Sequence, residues 1–578
     1  MAGNNRFHNK AHRADHHTTA VAGVPTSAQD PIASPAYPFQ GDFYLVGSLS
    51  ASNALSATSA YFSVLSAANA TVNSLSSNSL SAVNTKFTNL NVINNFISVS
   101  GQSAGTVYSG ISAYGSTNRS VVLAAKGTGA TVAQIADGTT VGGNNRGVYA
   151  TDWQKIRLGA GGVASGACST ISGGSGNTAV GASSFVGGGR CNTANGDCST
   201  ASGGYSNTAN ATNSTVGGGY TNLACGTHST VGGGRCNTAG GVSVTTVGGG
   251  RCNTASGYAS TVSGGYSNTA SCYNSFIGGG FDNTACGDYS TVGGGCFNNA
   301  SGYHTTVAGG NTNTASTSYN SSNSLGATIG GGRCNTSSGY CGGTTVSGGY
   351  QNSATVDMAT IGGGKGNTSS GYASTVSGGY NNSASNNCAT VGGGGNNNAS
   401  GSSSTIGGGV SNTANNNSAT VGGGLSNTAS NTYSTVGGGR NNTASGSYST
   451  VGGGQANITI GNHSTISGGY FNCSSGNCST VGGGKNNTAS GLYSIIGGGH
   501  FNCSSGNWST VGGGRCNSAS GCYSGVFGGQ NNTIKSTLSA AFIIGTGITA
   551  LSANTTYVNS FEIIPATNPS YFYLKSPD

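Results

Sequence analysis

A chain of 578 residues with 5% charged side chains departs from ordinary globular composition, in which about 25% are charged. The net charge of +8 reflects scarce acid, ten Asp and one Glu, and 19 scattered Lys and Arg exclude a general nucleic-acid binder. No run of 18 apolar residues occurs, so no membrane span is expected.

Residues 1–40 are polar and then proline-rich, with Pro25, Pro31, Pro35 and Pro38. They read as an arm that docks on another protein. His8, His12 and His16 recur every four residues with His17 beside the last, so a helix would gather imidazoles on one face. The docking arm is the preferred reading; no metal site and no cofactor are expected. The start MAGNNRFHNKAHRADHH lacks the apolar core of a signal peptide, so departure by a signal-less route, such as packaging into a virion, is expected.

Residues 41–100 carry a looser pattern, with Leu49, Leu55, Leu65, Leu75, Leu80 and Leu90 set among Ser, Asn, Ala and Thr. One thin apolar seam makes no core alone, so a slender oligomeric stem is expected. Residues 101–155 break that pattern. SVVLAAKG and GVYATDWQKIRLG predict short strands in a small β connector.

From there one phrase recurs, as in VGGGRNNTASGSYST at Val436–Thr450. Twenty-four apolar anchors run from Ile171 to Val526, and 20 of the 23 intervals are 15 residues long. Such a period predicts a stacked, quasi-one-dimensional rod over 156–541, closed by a cap at 542–578. Counting from the anchor, positions +2 and +3 are Gly and +6 is Asn in all 24 phrases. Position +8 is mostly Ala, and +10 is Gly in 16 phrases and Asn in three.

A β-branched anchor after Ser-Thr suits a short strand. Gly-Gly bends the chain, Asn-x-Ala supplies a second strand, and Gly or Asn at +10, residues that tolerate positive φ, turns it back. Alternation then points Ser, Val, Asn and Ala inward. Stacked Asn177, Asn192, Asn207, Asn222, Asn237 and Asn253 are expected to form a structural ladder.

The 17 cysteines follow the repeat: Cys191, Cys236, Cys252, Cys334 and Cys516 at +5, and Cys168, Cys198, Cys341, Cys388 and Cys478 at +12. They read as small surface residues, with Cys236 and Cys252 near enough across adjacent coils to pair. Position +4 carries Arg190, Arg235, Arg251, Arg333, Arg440 and Arg515, and Tyr205, Tyr220, Tyr266, Tyr350, Tyr380 and Tyr470. A ridge of Arg and Tyr suits glycans or acidic polymers; a solubilising row is the plainer reading. The rod's carboxylates, Asp197, Asp282, Asp288 and Asp357, form no catalytic pattern, and no enzyme is expected.

The phrase Ser-x-Val-x-Gly followed by Asn-x-Ala-x-Gly, as in Ser434–Gly446, resembles the head repeat of the YadA-type trimeric autotransporter adhesins. Similar arrays occur in viral and phage fibre-like proteins. The resemblance covers about 370 residues and implies an all-β, left-handed parallel β-roll of about 24 coils, three of which pack around a common axis. The tail after residue 541 is too short for that family's membrane barrel. The expectation is therefore a homotrimeric virion fibre. Its arm would dock on a virion or baseplate protein, and its rod would meet a host-surface glycan or protein. A microbial surface adhesin or extracellular filament is the alternative.

Overall fold

In the computed structural model the described residues are 37–38, 42–44, 48–91, 131–132, 138–139, 143–154, 156–318 and 323–560. The chain divides into two units, Met1–Ala124 and Ala125–Asp578. In the first, Ser48–Asn91 is one extended strand, and Tyr37–Pro38 and Asp42–Tyr44 pair with it in parallel. Most of the expected stem lies on this strand. The histidines of the arm and the segment SVVLAAKG lie outside the described residues.

The second unit is an all-β parallel solenoid with a 15-residue period, as the repeat predicts. Each regular coil contributes two strands of two residues. Thr435–Val436 and its equivalents form the anchor sheet; Thr443–Ala444 and its equivalents form the alanine sheet. Each pairs in register with its counterparts one coil before and after. Position +4 adds a third contact, a single-residue bridge such as Leu425↔Arg440↔Gln455. The anchor sheet has 28 rungs, reaching back to Thr131–Val132 and on to Phe542–Ile544 and Thr556–Val558. The solenoid thus takes in part of the expected connector and of the expected cap.

The core is one file of small side chains. Anchors, the alanines at +8 and the hydroxyls two residues before each anchor are fully buried. Each buried Val contributes roughly 1.5–3 kcal/mol against exposure, a gain repeated in nearly every coil. Where +8 carries Ser, its hydroxyl meets the one preceding the next anchor, whereas Thr459 donates to Ser449 before its own anchor at 3.0 Å. Ser369 Oγ lies 2.6 Å from Ser374 Oγ, Ser474 Oγ lies 2.6 Å from Ser479 Oγ, and Ser504 Oγ lies 2.7 Å from Ser509 Oγ. The polar pair satisfies itself within a dry file.

Beside this file runs the asparagine ladder. In each coil Asn Oδ1 accepts the backbone N–H of the next coil's Asn, as Asn177 does from Asn192 at 2.9 Å. Its Nδ2 donates to two glycine carbonyls. Asn192 Nδ2 donates to Gly188 in its own coil at 2.8 Å and to Gly204 in the next at 2.9 Å. Asn207, Asn222, Asn237 and Asn253 repeat this geometry. The ladder has built ends. Gln154 opens it, its Oε1 accepting from the Asn177 N–H at 2.9 Å. Asn532 closes it, its Oδ1 accepting from the Ile548 N–H at 3.0 Å. One early anchor position is special: Asp152, in register between Val132 and Ile171, is buried and takes Arg146 Nε at 3.1 Å and Arg157 Nη2 at 2.9 Å.

The turn chemistry differs from expectation. Except at Gly241, which holds φ 82°, glycine at +10 serves close approach, not positive φ. Gly446 lies outside the left-handed region, and a Cβ there would collide with the Gly461 carbonyl oxygen. The left-handed residues are Gly at +3 and, at +5 and +12, mainly non-glycine residues such as Cys191 at φ 60° and Cys198 at φ 54°. Their geometry reverses the direction of hydrogen bonding. Arg190 N–H donates forward to Gly204, whereas Cys191 N–H donates back to Ser175, each at 2.9 Å.

Two predictions follow from these contacts. In Asn397→Ala, the Asn412 N–H and the Gly393 carbonyl lose their partner, while the Gly409 carbonyl keeps the Gly395 N–H at 2.9 Å. Leaving such groups unsatisfied costs about 3 kcal/mol, so exchange of the Asn412 amide should accelerate about 100-fold in hydrogen-exchange measurements. Distant coils should be unaffected. The adjacent glycines Gly453 and Gly454 should also part ways. Gly454→Ala combines φ +86° with a collision against the Gly469 carbonyl, while nothing lies within 4 Å of a Cβ on Gly453. Thermal melting should drop for Gly454→Ala and stay near wild type for Gly453→Ala.

Candidate binding surface

The solenoid sends its variable side chains outward in columns. At +4 the single-residue bridges set consecutive side chains one coil apart, about 4.8 Å. Arg190, Tyr205, Tyr220, Arg235, Arg251 and Tyr266 occupy successive coils. Tyr205 and Tyr220 stack with centroids 5.0 Å apart, and Tyr266 stacks on Phe281 at 5.3 Å. Arg190, Arg235 and Arg251 lie 5.8, 5.2 and 5.2 Å from the centroids of Tyr205, Tyr220 and Tyr266. Arg333, Tyr350, Lys365 and Tyr380 form a second run, with Lys365 Nζ 5.7 Å from Tyr350 and 5.6 Å from Tyr380. Gly395, Val410 and Leu425 then interrupt the ridge. Arg440 sits apart between Leu425 and Gln455, while Tyr470, Lys485, His500 and Arg515 form a third run.

Arg190, Arg235, Arg251, Arg333, Lys365 and Lys485 therefore lie over neighbouring rings. This satisfies them along the rod and pre-orders the ridge. The asparagines named with it belong to the interior: all six are buried.

The carboxylates occupy turns. Asp197 Oδ1 accepts the Ala182 N–H at 2.8 Å, and Asp288 Oδ1 accepts the Tyr273 N–H at 3.0 Å. Asp357 Oδ1 takes the N–H groups of Cys341 and Gly342 at 2.9 and 3.0 Å. All three sit at +11 and cap the preceding coil. Asp282 occupies the left-handed +5 position at φ 53°. Among the described residues no cluster of three or more His, Cys, Asp or Glu is placed to hold a metal. No helix of the described residues is long and apolar enough to cross a membrane.

A second aromatic row escaped the sequence reading. Position +12 carries Tyr433, Tyr448, His463, Cys478, Tyr493, Trp508 and Tyr523 in seven successive coils. Their rings stack nearly parallel: Tyr433–Tyr448 at 4.8 Å, Tyr448–His463 at 4.9 Å and Trp508–Tyr523 at 5.0 Å. The signal was present in the repeat. It was passed over because that column was read for its cysteines.

All 17 cysteines are free, and all are exposed or half-exposed. Cys236 is the most activated. The Thr221 hydroxyl at 3.1 Å lowers its thiol below the usual range, outweighing slight desolvation, and Arg235 adds to the effect. Burial raises the thiols of Cys473 and Cys503.

A scan against models of known protein families found no match, and no curated protein is significantly similar to the chain. The surface must therefore be read from its own chemistry.

Thiolate, not thiol, is the nucleophile, so alkylation order follows these shifts. Limited iodoacetamide treatment near neutral pH, read by peptide mass spectrometry, should label Cys236 first, and Cys473 and Cys503 last together with Cys272 and Cys286, whose thiols burial likewise raises. Thr221→Val should slow Cys236 labelling, because it removes the group that lowers its pKa.

Proposed function

We propose that the chain is a non-enzymatic structural fibre of a virion that presents an attachment surface to a host. One observation supports this most: an unbroken hydrogen-bonded spine from Gln154 to Ile548 under an almost charge-free surface. Such a spine buys length and stiffness rather than a pocket. At about 4.8 Å per coil, 28 rungs extend roughly 130 Å. The regular exposed columns offer repeated contacts, so weak individual binding gains strength through avidity.

In this reading three copies assemble, and the arm of residues 1–40 joins a virion or baseplate protein. The Arg and Tyr ridge at +4 meets a host-surface glycan or protein. The polar arm and the repeat's likeness to fibre proteins support the virion over a free filament.

Analytical ultracentrifugation and negative-stain microscopy test the assembly. A mass near three times 56.0 kDa with a straight rod of about 130 Å is expected. A monomeric mass would sink the trimer, and a compact particle would sink the fibre. Capsid or tail genes beside this gene would support virion attachment, and their absence would favour the free filament.

A further inference from the structure

The row from Tyr433 to Tyr523 has three properties that packing does not require. First, it is confined. Six of the last seven regular coils carry an aromatic ring at +12, whereas in earlier coils the column is mostly Ser, Cys, Asn and Ala. Second, it puts bulky rings at a position that the solenoid holds left-handed in its other coils too, as at Cys198, Ala373 and Ser403. Tyr433, Tyr448, Tyr493, Trp508 and Tyr523 all hold φ between 53° and 59°, a region unfavourable for bulky residues. Third, the rings stay wet: these five are 44–57% exposed.

The stacking geometry says how the rings are presented. Parallel rings touch at about 3.5 Å, so centroids about 5 Å apart mean that each ring slides by a similar distance over the next. The row is shingled in two runs, Tyr433–Tyr448–His463 and Tyr493–Trp508–Tyr523, parted by Cys478, and each ring keeps part of its face open. The corner that bears it also absorbs the chain's length changes. The long intervals Val231–Val247, Val307–Ile329 and Ile329–Val346 all add their residues between the alanine sheet and the next anchor. In solenoids such a corner is often the binding face.

Polar groups accompany the rings. Asn462, Asn477 and Asn507 precede His463, Cys478 and Trp508. Their Oδ1 atoms accept the N–H groups of Ser447, Asn462 and Leu492 at 3.0, 2.9 and 3.0 Å. Each amide is pinned at the surface with Nδ2 left to donate. No Lys, Arg, Asp or Glu lies at +10 to +13 in these seven coils. A polyanion or nucleic acid would need cations there.

We propose that this row binds an extended neutral polysaccharide, one pyranose ring on each shingled step, with the fixed amides donating to its hydroxyls. Apolar sugar faces meet aromatic faces, and an uncharged ligand matches an uncharged strip. The inference rests on the attachment reading for its setting but assigns the glycan to a row other than the +4 ridge.

The test uses the full chain in native gels containing hydroxyethyl cellulose, carboxymethyl cellulose or neither. Alanine already occupies this column at Ala259 and Ala373, so Tyr448→Ala/Trp508→Ala should keep the fold. Retardation by the neutral glucan is expected, with the double variant at least tenfold weaker and Tyr258→Ala/Tyr273→Ala, an exposed stacked pair outside the row and the +4 ridge, unchanged. No retardation in neutral glucan, retardation only in the charged one, or equal retardation of the double variant would overturn it. So would a fall in solution mass of the double variant, which would make the row a contact between copies. If glucan binding fails while mass and rod length hold, this inference falls alone. If a compact monomer still binds glucan, the fibre reading falls alone.

Discussion

Everything in the solenoid depends on one side chain satisfying three backbone groups. Two glycines in a row make a bend: the second carbonyl takes the +4 N–H of the preceding coil, as Gly454 does from Arg440 at 2.9 Å, while the first is left to the asparagine. Asn at +6 reaches back to one of them, forward to the equivalent bend of the next coil, and offers its oxygen to the next coil's N–H. No other side chain of that length both donates twice and accepts. Glutamine fills the role at Gln154, where the chain enters the ladder from outside the repeat. A substitution elsewhere in the core loses a contact; one here leaves several buried polar groups without partners.

This division of labour explains why the surface is free to vary. Inward positions are held to Ser, Val, Asn and Ala by volume and hydrogen bonding. Outward positions at +4, +5 and +12 meet their equivalents one coil away and, in places, the neighbouring column, as Tyr470 meets Phe471. Like residues then reinforce each other along a column, whether as stacked rings or as cations over rings. Each stacked pair adds about 0.5–1.5 kcal/mol, enough to offset the left-handed strain at +12 but not to explain why rings were placed there.

Much of the fold was legible because the repeat supplies 24 internal copies of the same problem. The period gave the coil, the anchor and the alanine gave the inward faces, and invariant Asn gave the ladder. The turns were read less well. Glycine at +10 was assigned to positive φ on propensity, but the force acting there is the approach of the next coil's carbonyl, which depends on stacking distance. The truly left-handed positions carry Cys, Ser, Tyr and Asn, and composition does not mark them. Their backward hydrogen bonds exist only between coils. The +4 ridge was legible as a column, but its three separate runs follow from Cys296 and Asn311 at the first gap and Gly395, Val410 and Leu425 at the second.

The irregular coils show how such a rod tolerates change. Between Val307 and Val346 the chain inserts extra residues, and its strands lengthen to Thr314–Thr317, Gly326–Ile329, Thr336–Gly339 and Gly342–Val346. The ladder does not break: Asn335 N–H still reaches Asn313 Oδ1 at 2.9 Å, and Asn352 N–H still reaches Asn335 Oδ1 at 2.9 Å. Insertion at the +3 bend would part the asparagine from its glycines. Insertion after +8 parts nothing in the spine. Length and side-chain variation therefore accumulate at the same corner, and that corner is where a rod of fixed interior can acquire new contacts without losing its stiffness.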